Sequence, residues 1–150
     1  MTVVLGDAQS VSEAIVQYNG FHDAFIKSIA VRSRDRFTSI GTQRCTGAKE
    51  LRLVISHYNY PPWNRVRTIV ATFGAVKELR IESSGAAMDW TISEILAKDA
   101  SRVSDRGDAE ACIQVIVRQS RVTAGVMGKA DDIVFSCDGV RFQEGRRKRA

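Results

Sequence analysis

Leu51-Arg52-Leu53-Val54-Ile55-Ser56 decides the fold class. Apolar side chains stand at 51, 53 and 55, and Arg52 and Ser56 fall on the other parity. That is the period of a pleated strand with one wet face. Thr68-Ile69-Val70-Ala71-Thr72-Phe73, Glu78-Leu79-Arg80-Ile81-Glu82 and Cys112-Ile113-Gln114-Val115-Ile116-Val117-Arg118 are short apolar strands of the same kind. The chain is therefore expected to be mainly β. The architecture is an antiparallel sandwich or curved sheet of about six to eight strands with one or two short helices. An α+β two-layer arrangement, with both helices on one face of a single sheet, is the alternative.

Working outward, residues 10–18 predict a helix. Ser10 stands as N-cap and Glu13 completes a capping box. Val11, Ala14, Ile15 and Tyr18 line one face, and Asn19-Gly20 ends the helix. Phe21-His22-Asp23-Ala24-Phe25-Ile26 leads into a long strand reaching Val31 or Ser33, in which Phe21 and Ile26 break alternation, as a bulge near Ile26 or burial on both faces would do. Residues 34–49 read as a loop and 50–58 as a strand. Strands at 66–73 and 76–82 are separated by Gly74-Ala75, read as a tight hairpin. Residues 90–98 predict a second helix capped by Asp89, with Ile92, Ile95 and Leu96 as its face; Trp90-Thr91-Ile92 suits a strand equally. Residues 101–110 read as a charged loop, 111–118 as a central strand, and 133–142 as a final hairpin or one strand with a glycine bulge at Asp138-Gly139.

Composition sets the outer limits. The 150 residues fit one domain over 1–145 with a basic tail at 146–150. An apolar fraction of 44% is that of a soluble globular chain, and no run approaches the roughly 20 residues of a membrane span. Met1-Thr2-Val3-Val4-Leu5-Gly6 lacks a signal-peptide pattern, so a cytoplasmic location is expected. The odd set Cys45, Cys112 and Cys137 has no C-x-x-C spacing and indicates neither disulfides nor zinc. The net charge of +5 rests on the tail: without its four cations, 18 basic residues face 17 acidic ones. That balance argues against nucleic acid as a partner.

Chemistry-bearing residues are sparse. His22, Asp23 and His57 are the one set from which a small hydrolase or ligand-binding site is assembled, if they converge. No H-E-x-x-H, G-x-S-x-G or phosphate-cradling glycine motif occurs, so no metal and no cofactor are expected. The better candidate is a recognition surface. Tyr58, Tyr60 and Trp63, with Arg65 and Arg67 beside them, combine residues enriched at protein interfaces. The favoured function is a non-enzymatic protein-interaction module. The apolar strand 133–142 is expected to supply a homodimer edge, and strand 76–82, guarded by its charges, a free edge.

Gly20-Phe21-His22-Asp23-Ala24-Phe25-Ile26-Lys27-Ser28-Ile29, the Leu51, Leu53, Ile55 strand, Phe73-Gly74-Ala75-Val76-Lys77-Glu78-Leu79-Arg80-Ile81 and Phe135-Ser136-Cys137 carry a further pattern. Over residues 20–142 the chain resembles the small bacterial domains grouped with immunity protein 50 of polymorphic toxin systems. It departs from them at Phe25 and in a longer 34–49 loop. The resemblance implies a compact β-rich domain without a catalytic site, whose partner is a toxin or another protein.

Overall fold

The computed structural model describes residues 3–33, 36–37, 39–41, 43–44, 49–63, 65–81, 91–104, 106–119, 122–123, 126–127 and 132–145. Cys45, the segment 82–90 with Asp89 and Trp90, the glycines at 125 and 128, Asp131 and the 146–150 tail lie outside the described residues.

The chain is mainly β. Helix α1 (Ala8–Gln17) leads through a 3-10 turn (Asn19–Phe21) into β1 (Phe25–Ser33), then β2 (Arg36–Phe37), β3 (Gln43–Arg44), β4 (Lys49–His57) and β5 (Arg67–Ile81). β6 (Ile92–Val103), β7 (Ala109–Gln119), β8 (Val122–Thr123), β9 (Val126–Met127), β10 (Asp132–Cys137) and β11 (Gly139–Glu144) complete it. The main sheet has seven antiparallel strands in the order β1-β4-β5-β10-β7-β6, and β11 also pairs β5. β2 with β3 and β8 with β9 form two small separate ribbons, the first inside the expected 34–49 loop.

The sheet is curved, and the start of β1 meets the start of β6, its far end. Asp23 N–H donates to Ile92 O at 3.0 Å and Ile92 N–H to Ala24 O at 2.7 Å, beside a Phe25–Thr91 bridge. The apolar side of the strands faces one shared core. Leu51, Leu53, Ile55, Ile69, Phe73, Ile92, Val115, Val117, Ile133 and Phe135 are all buried there. Phe73 and Phe135 meet edge to face at 4.7 Å. α1 adds Ala8, Val11 and Ile15 to this core, and Ser12 Oγ donates to Ala97 O of β6 at 3.3 Å. The helix thus lies against the terminal strand, beyond the residues at its start that meet β1, where among the described residues no further strand pairs with it.

Four expected elements are corrected. The helix cap lies three residues before Ser10: Asp7 is the N-cap, accepting from Ser10 N–H at 2.8 Å and Ser10 Oγ at 2.9 Å. The carboxylate is held below its usual range by those Ser10 bonds. Gly74-Ala75 is not a hairpin. β5 runs straight through it, because Gly74 O accepts Asp138 N–H at 3.0 Å and a Cβ at Gly74 would stand 2.9 Å from Asp138 Oδ1. The described part of the second helix, from Ile92 onward, is strand β6. Of the two readings of the final segment the hairpin is excluded and the single interrupted strand is nearer, since β10 and β11 follow one another along β5 with a break at Asp138.

Bulges explain the misread periods. Leu51 and Lys49 of β4 face Phe73 and Val76, and Ser136 and Val134 of β10 face Lys77 and Arg80. In each case β5 spends three residues on two, with Ala75 (φ 48) and Glu78 (φ 56) in left-handed conformations. Phe73, Val76 and Leu79 consequently reach the core at a spacing of three. The same insertion at Ser93 brings both Ile92 and Ile95 inward, and one at Lys27 confirms the bulge expected near Ile26. β7 is central, as its apolar run requires. β10 is also central, paired to β5 and β7, whereas β11, the rest of the expected 133–142 edge, pairs β5 and meets Leu5 at Val140.

Candidate functional site

The residues singled out for chemistry and recognition meet at one end of β1 and β4. The chain leaves α1 in a left-handed turn: Asn19, Gly20, Phe21 and Asp23 have φ of 54, 67, 58 and 66. Such angles are costly for residues with a Cβ, above all Phe21. Packing holds them. Phe21 is fully buried, and Asn19 Nδ2 donates to Asn59 O at 3.0 Å while Asn59 Nδ2 donates to His22 O at 3.3 Å. The turn and the loop after β4 are therefore laced together.

His57, the last residue of β4, is buried against this turn. Its ring stacks on Phe21 at 5.5 Å and Tyr60 at 4.7 Å, and Nε2 lies 2.6 Å from Tyr18 O. A carbonyl only accepts, so Nε2 carries the proton and donates. Nδ1 is left buried with no hydrogen-bond partner. Burial depresses the pKa of the ring below 6.5; the bond to Tyr18 O opposes this and the Arg67 charge adds to it. His22 is exposed, with Nδ1 3.0 Å from Ser93 O and Nε2 3.6 Å from Asp23 Oδ2. The turn, with Asp23 at positive φ, brings His22 and Asp23 to the same side, which a regular strand forbids. The Asp23 charge reaches the His57 ring and opposes its depression, but the two histidines share no hydrogen-bond partner among the described residues. Each is held by a different backbone carbonyl.

The aromatic and arginine cluster divides in two. Tyr60 is buried, packs edge-on against Tyr18 at 5.1 Å, and donates its hydroxyl to Glu144 Oε1 at 2.7 Å. Burial and that carboxylate push its pKa well up. The Arg67 guanidinium lies 3.4 Å over the Tyr60 ring. It donates to Tyr60 O at 2.7 Å, Pro61 O at 3.1 Å and Pro62 O at 3.3 Å, and stands 3.6 Å from Glu144. Only Arg has a donor fork wide enough for three successive carbonyls. Tyr60 and Arg67 thus belong to the scaffold of the loop.

Tyr58, Trp63 and Arg65 point outward. Tyr58 is 48% exposed and Trp63 57%, and Arg65 and Val66 are exposed beside them. Phe25, also 48% exposed, pairs Ser56 two residues before Tyr58. The result is a clamped loop with its large apolar side chains turned to solvent. Sequence reasoning had no signal for Phe25 or for Glu144, which arrives from β11 across the fold.

A second polar cluster lies elsewhere on the sheet. Arg102 is buried, donating from Nε to Glu110 at 2.7 Å and from Nη1 to Ala75 O at 2.8 Å and Ser136 Oγ at 3.0 Å. A cavity of about 490 Å³ opens nearby, lined by Glu78, Arg80, Ser101, Cys112 and Gln114 among others. Burial raises the Cys112 thiol and pushes that of Cys137 up to about 12, so both behave as small apolar side chains. Among the described residues no three His, Cys, Asp or Glu side chains group as metal ligands, and no helix is long and apolar enough to cross a membrane. No protein-family model, curated protein or solved structure matches the chain.

Proposed function

We propose that the domain is a protein-binding module whose contact surface is the rim formed by Tyr58, Trp63 and Arg65, with Phe25 beside it. One observation carries this reading: a loop held by buried Tyr60 and half-buried Arg67 presents Trp63 57% and Tyr58 48% exposed. Large aromatics on a rigid loop bury much area on binding and lose little conformational freedom. Arg65 suits a partner that offers carboxylates around an apolar centre. A toxin-neutralising role, as in the immunity domains the sequence resembles, is the form of this function we favour.

The test is capture of host proteins on immobilised full-length chain, with the retained proteins identified. A partner held by the rim is lost with Trp63→Ala and weakened with Arg65→Ala, while Lys98→Ala on β6 retains it. Equal capture by all three variants removes the rim from consideration.

A further inference from the structure

β1 ends the sheet with an open side. From Ser28 to Arg32 it keeps unbroken register with β4, and among the described residues no strand pairs with its outer edge. Its first residues are spoken for: Phe25 bridges Thr91, and the bulge at Lys27 interrupts the ladder. Beyond that bulge the core face is incompletely covered. Leu53 and Leu51 are fully buried, yet Ile29 opposite Leu53 is only partly buried and Val31 opposite Leu51 is 46% exposed. A shallow cavity of about 360 Å³ follows the strand along Ile26, Lys27, Ser28 and Ile29.

The other face is charged. Arg32 and Arg52 line a second hollow of about 110 Å³ with Ala30 and Glu50. Lys27 and Lys49 are exposed nearby, so among the described residues beside the edge four cations stand against one acid, Glu50. Strand pairing needs alternate side chains to match their own face.

We propose that residues 28–32 of β1 accept an extended acidic segment of a partner protein as an added strand. Apolar side chains of that segment cover Ile29 and Val31, and its alternate Asp or Glu residues face Arg32 and Arg52. A second copy of this chain is the poorer occupant, since it brings an edge carrying the same four cations, Lys27, Arg32, Lys49 and Arg52, up to a like-charged one. The inference uses a different surface from the loop rim and stands independently of it.

Fluorescence anisotropy tests it with two labelled octapeptides, one alternating valine with aspartate and glutamate, the other valine with lysine. The full-length chain is expected to bind the acidic peptide, with affinity falling as salt rises, and to ignore the basic one. Arg32→Glu with Arg52→Glu lowers acidic-peptide affinity by about tenfold or more and creates binding of the basic peptide. Should the double variant fail to fold, Arg32→Gln in a salt titration reads the same dependence more weakly. Amide exchange with the acidic peptide bound slows at residues 28–32, and Trp63→Ala leaves peptide binding unchanged. No acidic-peptide binding up to about 1 mM overturns the proposal. So does affinity indifferent to the two arginines, or a dimer by light scattering whose protected amides are those of residues 28–32.

Discussion

Arg67→Met removes the clamp of the loop while keeping the length and apolar stem of the side chain. The bond to Tyr60 O at 2.7 Å is charge-assisted and part-buried, worth about 1.5–3 kcal/mol. The contact over the Tyr60 ring at 3.4 Å adds about 1–2 kcal/mol. The bonds to Pro61 O and Pro62 O are exposed, and those carbonyls turn to water when the donor goes. The ion pair with Glu144, whose side chain is 47% exposed, is screened to a few tenths of a kcal/mol at most, roughly. Against these stands the relief of Arg67 Nε, which is buried without a partner at a cost of about 1–2 kcal/mol. The net expectation is a loss of about 2–3 kcal/mol. With a urea m-value of about 2 kcal/mol/M, the midpoint falls by about 1–1.5 M. Arg67→Lys recovers less than half of that, because an ammonium cannot serve three carbonyls. A midpoint within about 0.3 M of wild type for Arg67→Met refutes the clamp.

Arg102→Met breaks a half-buried pair and takes the donor from Ala75 O, and should destabilise by about 2–4 kcal/mol in the same urea assay, more than Glu110→Gln on the more exposed partner. Stability should fall with pH from about 6.5 downward: the folded pKa of His57 lies below its ordinary value, so the unfolded chain binds the extra proton. The dependence on this group is at most about 1.4 kcal/mol per pH unit, and His57→Phe should flatten it in melts between pH 7.5 and 5. Gly139→Ala should cost more than Gly74→Ala by thermal denaturation. Its Cβ meets the Leu5 carbonyl at 3.2 Å within the Leu5–Val140 bridge, whereas Gly74 faces only the Asp138 carboxylate.

The strands were legible in the sequence where their period is pure. Leu51, Leu53 and Ile55, and Val115 and Val117, alternate because β4 and β7 carry no inserted residue there, and each has strands on both sides. Where a bulge inserts a residue, the code changes. Ile92 and Ile95 stand three apart on one face of β6, a spacing shared with a helix, and local sequence cannot separate the two. Gly74-Ala75 reads as a turn because glycine is read locally, whereas here glycine makes room for Asp138, which is 64 residues away in the chain. The site shows the same division. Tyr58, Trp63 and Arg65 are exposed, and their loop position was visible. The burial of Tyr60 and the anchoring of Arg67 depend on Glu144 and Tyr18, partners that only the folded topology brings near.

Hydrogen exchange on the complex with the captured partner tests the binding rim most directly. Protection is expected over residues 58–66 and at Phe25, and it should vanish with Trp63→Ala even though that variant unfolds at the wild-type urea midpoint. Protection confined to another face, with residues 58–66 exchanging as in the free protein, would contradict it.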